Sequence, residues 1–194
     1  FDLPADGTVS VPLFLGVAGA FSAVPHALLE RVGGAAVTLS DGRVLVVGGK
    51  SGTALVGPAL YEHATGAVTA VVGPAPLLSS PAVVALDSGR ALVAGGYDAS
   101  GQPTDEVWLY GGGAFSKQSF VLPIKVAAAQ AAFFPGKKRA LVVGGFTGAA
   151  SPRTATASVA VLSFEQATAT LEAPAGALLQ PRAEATATLL TGIT

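Results

Sequence analysis

The chain has 194 residues, a formal net charge of −1, 51% hydrophobic residues and only 12% charged ones. The 11 basic residues are scattered apart from Lys137, Lys138 and Arg139, which read as a solvated turn, so the clustered Lys and Arg of a nucleic-acid footprint are missing. There is no Cys, which excludes disulfides and thiolate metal sites, and no run reaches the roughly 18 apolar residues of a membrane span. The absence of Met and the start at Phe1 read as a processed product or a fragment. Few charges and many Thr, Ser, Gly and Ala suit an exported bacterial protein, so an extracellular or cell-surface location is expected.

In chain order, residues 9–25 predict two strands, with "FLGVAGAFSA" from Phe14 as a hairpin. A full unit follows over 31–74. An Ala-bearing strand ("GAAVTLSD") leads through a turn into "RVLVVGGK", then a variable loop, then the hairpin "YEHATGAVTA" from Tyr61. The unit recurs over 79–123 ("PAVVALDS", "RALVAGGY", "YGGGAFSK" from Tyr110) and over 126–174 ("AAAQAAFFPG", "RALVVGGF", "FEQATATLEA" from Phe164). Another inner strand, "RAEATATLLTG", starts at 182 and opens a further unit over 182–194. The double glycines Gly48-Gly49, Gly95-Gly96 and Gly144-Gly145 are separated by 47 and then 49 residues. Arg43, Arg90 and Arg139 each stand five residues ahead of a pair.

Four short strands per repeat of about 50 residues predict an all-β fold, a β-propeller of four-stranded antiparallel blades that is incomplete in this chain. Small Ala side chains suit the crowded inner strand. The apolar runs Val44–Val47, Leu92–Ala94 and Leu141–Val143 lack alternation, as expected of strands buried between neighbouring blades on both faces. Each Gly pair would let the chain leave the wedge sharply and leave room for a ring, with Phe14, Tyr61, Tyr110 and Phe164 as the candidate rings. No amphipathic helix of ten or more residues is expected within 31–174, because no window holds a 3.6-residue period.

The pattern "DGRVLVVGG…LYEHATGAVTAV" resembles a kelch repeat, particularly its bacterial form. The resemblance places Gly48 and Gly49 at the family's diglycine and Tyr61 at its tyrosine. Val68 stands where the family often has Trp, and Phe21, Phe115 or Leu171 takes that place in the other units. The resemblance implies five to seven blades, so the chain reads as a segment of a larger propeller, with a closed four-blade ring as the alternative. Incomplete blades at both ends would expose backbone edges, so flanking blades or another chain are expected to cover them.

No catalytic constellation stands out, and no cofactor is expected. His63 lies in the turn "EHATG", and His26 lies at a junction between units; two His without Cys cannot form a closed structural zinc site. Kelch-like copper oxidases need a Cys-modified Tyr, which this stretch cannot supply. Asp105-Glu106 reads as a solvated loop end. The glycines of "YGGGAF" precede no helix and carry no Lys-Ser or Lys-Thr, so they form a turn and not a phosphate loop.

Function is therefore expected in the loops. Those after the glycine pairs (50–57, 97–104, 146–154) and the connections between units (72–80, 121–126, 174–182) open, by the family resemblance, onto one face. Lys50, Tyr97, Asp98, Gln102, Phe146 and Arg153 are the residues there that a partner would meet. Two functions remain open. One is a non-enzymatic protein-binding or structural module of an exported or cell-surface protein. The other is a propeller domain of a carbohydrate-binding or carbohydrate-active protein whose active residues lie outside this segment. Tyr97 and Phe146 would be the glycan platforms in the second case.

Overall fold

A computed structural model describes residues 30–148, 153–164, 169–172 and 176–190. The strands expected over 9–25, with Phe14, Phe21 and His26, lie outside the described residues. Among those described there is no α-helix, and the single helical element is a 3-10 turn over Pro135–Lys137.

Strands β1 (Val32–Thr38), β2 (Val44–Ser51), β3 (Ala54–Leu55), β4 (Ala59–Glu62) and β5 (Ala67–Ala70) form the first sheet, in the order β1-β2-β4-β5 with β3 added to the end of β2. The second sheet is β6 (Ala82–Ala85), β7 (Ala91–Ala94), β8 (Val107–Gly111) and β9 (Ala114–Lys117), in chain order. The third sheet is β10 (Gln130–Phe134), β11 (Arg139–Val143), β14 (Val159–Ser163) and β15 (Thr170–Glu172). Strands β12 (Phe146–Thr147) and β13 (Thr154–Ala155) form a separate two-stranded ribbon. All pairing is antiparallel, and the registers repeat: Val46 faces Ala36, Val93 faces Val83, and Val142 faces Ala131.

The sheets pack face on face through two apolar layers. Leu39, Leu45 and Val47 of the first unit meet Ala91, Val93, Trp108, Tyr110 and Phe115 of the second. Leu92, Ala94, Val107 and Leu109 then meet Phe133, Ala140, Val142, Leu162 and Phe164 of the third. Strand β7 contributes alternate residues to both layers and is wholly buried. A strand with no solvent face needs no polar residue, which accounts for its continuous apolar run.

That argument holds less well for the outer two strands. Leu45, Val46 and Val47 are buried, but Val44 is half-buried. In β11, Val142 is buried, whereas Leu141 and Val143 are half-buried. The cause is their direction: they face away from the second sheet, and no fourth sheet covers that flank among the described residues.

The segment expected as an inner strand over 182–190 bends at residues 183–184 and forms no strand ladder among the described residues. Its small residues Ala183, Ala185 and Ala187 are half-buried, while Glu184, Thr186 and Thr188 are exposed. The alternation is that of a strand, but no neighbouring strand bonds it among the described residues.

The diglycines serve a different purpose from the one expected. A Cβ on Gly48, Gly95 or Gly144 would fall within 3.0 Å of the carbonyl oxygen of Leu78, Val126 or Arg182, respectively. The amide of the second glycine donates to that same oxygen: Gly49 to Leu78 (2.9 Å), Gly96 to Val126 (2.8 Å) and Gly145 to Arg182 (2.8 Å). The space left by the absent side chains is thus filled by the backbone entering the next unit, and rings are not the nearest atoms. Tyr110 and Phe164 are buried in the two layers, against Phe115 and Phe133, whereas Tyr61 is only half-buried.

The three hairpin arginines keep their spacing but not their partners. Arg43 pairs with Asp41 at 2.7 Å and Arg90 with Asp87, inside their turns. The third turn, "PGKK", offers no acid, so Arg139 reaches Glu172 on β15 at 2.9 Å. The expected solvated acid at Glu106 is half-buried instead. It accepts from the Trp108 indole at 2.9 Å and from the Lys117 ammonium, which lies 5.7 Å from the Trp108 ring centroid.

Candidate functional site

Each loop that follows a glycine pair folds back as a small ribbon. Lys50 pairs with Leu55, Tyr97 with Pro103, and Phe146 with Ala155. The next residue then donates its amide to the second glycine: Val56 to Gly49 (2.9 Å), Thr104 to Gly96 (2.8 Å) and Thr156 to Gly145 (2.9 Å). A loop of variable sequence is therefore anchored identically in all three units, and the residue directly after each pair projects from a defined position.

Three of the expected residues come together. Lys50, Tyr97 and Arg153, one from each unit, line an open cleft of about 510 Å³ with Val32, Gly33, Ser79 and Ser80. Ser79 and Ser80 belong to the connection between the first two units, so both sets of loops meet here. The Arg153 guanidinium lies 5.2 Å from the Tyr97 ring centroid and 5.6 Å from that of Phe146. Glu184 lies 4.0 Å from it.

Tyr97 departs from the expectation of an open loop residue. It is 6% exposed, held by two-way backbone bonds with Ser79 at 2.9 and 2.7 Å. Its hydroxyl is buried with no hydrogen-bond partner among the described residues. Tyr97 is too buried to offer an open face for a sugar to stack on, and Arg153 lies over Phe146 as well as Tyr97.

Asp98 and Gln102 do not line the cleft. The Asp98 carboxylate accepts from the Ser100 amide (2.9 Å), the Ser100 hydroxyl (2.6 Å) and the Gln102 amide (2.9 Å), closing its own loop. Hydrogen bonding from the Ser100 hydroxyl, and then from the Gln102 amide, holds this carboxyl below the ordinary aspartate range. Gln102 is exposed.

Sequence reasoning missed Val32, Gly33, Ser79 and Ser80 as cleft residues. Ser79 and Ser80 fell within a named connection, but nothing local distinguished them. His63 is exposed in its turn. Among the described residues no three His, Cys, Asp or Glu side chains cluster as a metal would need, and no helix is long and apolar enough to cross a membrane. No protein-family model matches the chain, and no curated protein matches it significantly.

Proposed function

We propose that the chain is a segment of a kelch-type β-propeller and acts as a non-enzymatic protein-binding module of an exported or cell-surface protein. Support for the propeller reading comes from three consecutive sheets of one topology, stacked through continuous apolar layers, with each diglycine bonded to the start of the next unit. The observation that carries the binding reading is the convergence of Lys50, Tyr97 and Arg153 from three units on one cleft. Rigid ribbons that present charged and aromatic side chains make a recognition surface.

The test is a comparison of captured partners. The protein carrying K50E and R153E should lose the proteins that the wild type captures from the cell-surface fraction of its source. K137E with K138E, in the exposed turn away from the cleft, should retain them. Equal capture by both variants would remove the loop face from the proposal.

A further inference from the structure

We infer that the cleft recognises a carboxylate of an acidic peptide segment, seated between Lys50 and Arg153. This rests on the binding-module reading and names the chemistry of the partner.

Among the described residues the lining carries two cations and no acid. Lys50 makes no ion pair among the described residues. The Arg153 contact with Glu184 is 4.0 Å, too long for a hydrogen bond and set between two exposed side chains. The guanidinium is nonetheless positioned, because the rings of Tyr97 and Phe146 lie within 5.2 and 5.6 Å. An arginine already held in place loses less side-chain freedom on binding, and its planar fork fits the two oxygens of a carboxylate.

Glu184 stands 4.0 Å from Arg153, and a ligand carboxylate would displace it. A peptide is favoured over an acidic sugar because Tyr97 is buried and Arg153 already lies over Phe146, the two rings that would otherwise stack on a pyranose.

The experiment is a titration of the full chain with hexaglutamate, hexaglutamine and oligogalacturonate at low ionic strength, read by calorimetry and by the NMR signals of the Arg153 Nε–H and the Tyr97 ring. Hexaglutamate should bind saturably and hexaglutamine should not. K50A and R153A should each weaken binding about tenfold, the size expected for one charge-assisted contact. R153K should weaken it less than R153A. E184Q should tighten it by removing the competing carboxylate. Absence of saturable hexaglutamate binding, or binding that K50A and R153A leave intact, would overturn the inference. Binding of oligogalacturonate alone would overturn the peptide assignment. If hexaglutamate fails while K50E with R153E still abolishes partner capture, the module reading stands and only the ligand chemistry falls.

Discussion

The amide of Ser80 donates to the carbonyl of Gly33 at 2.6 Å, and the two residues hold the same place in consecutive units. The relation continues along the stack: Ala128 donates to Ser80 at 2.8 Å and Glu184 to Ala128 at 3.1 Å. All four adopt the left-handed backbone region, with φ of 72° at Gly33, 50° at Ser80, 52° at Ala128 and 52° at Glu184. Only the first is glycine. The others accept a strain of about 1–2 kcal/mol each to place an amide on the preceding unit.

This strain gives the first expectation. A128G and S80G should each stabilise the protein, since relief of the left-handed strain outweighs the extra freedom of glycine in the unfolded chain, by about 0.5–1 kcal/mol net. Urea denaturation checks it; destabilisation by both would show that the side chains contribute more than the strain costs.

The diglycine contact gives the second. G95A places a methyl group against the Val126 carbonyl at a φ of 60°. G112A places one at a φ of 61° with nothing within 4 Å. The control should cost only the backbone strain, about 1–2 kcal/mol. G95A should cost clearly more and weaken the Gly96-to-Val126 bond, seen as faster hydrogen exchange at Gly96.

Stacking asymmetry gives the third. Leu92 is fully buried between two sheets, whereas Leu141 is half-buried on the open flank. L92A should cost about 2–5 kcal/mol, as in a closed core, and L141A markedly less because solvent fills the space. Equal losses in thermal unfolding would mean that the third sheet is covered on both faces.

Tyr110 gives the fourth. Its hydroxyl is buried without a hydrogen-bond partner among the described residues, and burial raises its pKa above the ordinary tyrosine value. The neutral form is the one favoured in the folded state. Its contribution is therefore complete below the unfolded pKa of about 10 and is lost as pH rises through the higher folded value. Y110F should leave stability at pH 7 unchanged or raise it by up to about 1 kcal/mol. It should also move the alkaline unfolding midpoint upward.

Asp98 gives the fifth. Its carboxyl is held low by the Ser100 and Gln102 hydrogen bonds. The closed loop is therefore favoured above the unfolded pKa of about 3.9, and that advantage is lost as pH falls through the lower folded value. Hydrogen exchange at the Ser100 and Gln102 amides should accelerate over that acid range in the wild type. D98A should show the faster exchange already at neutral pH.

Much of the architecture was legible because its causes are local. The recurring glycine pair, the apolar run before it and the turn residues between strands are short-range signals, and they marked the all-β fold and its repeated four-stranded sheets. The candidates Lys50, Tyr97, Phe146 and Arg153 were also legible, because each lies in a loop of variable sequence. The tertiary structure decided the rest. Whether a valine in β7 or β11 is covered depends on which sheet stacks on its face. Glu106 is half-buried because Trp108 and Lys117 lie beside it, and Tyr97 is buried where its backbone bonds both ways with Ser79, eighteen residues earlier in the chain. Arg153 meets Tyr97 across 56 residues of chain. Periodicity specifies which residues form strands, but the neighbours of a side chain are set by stacking between units, and the cleft exists only once those units have packed.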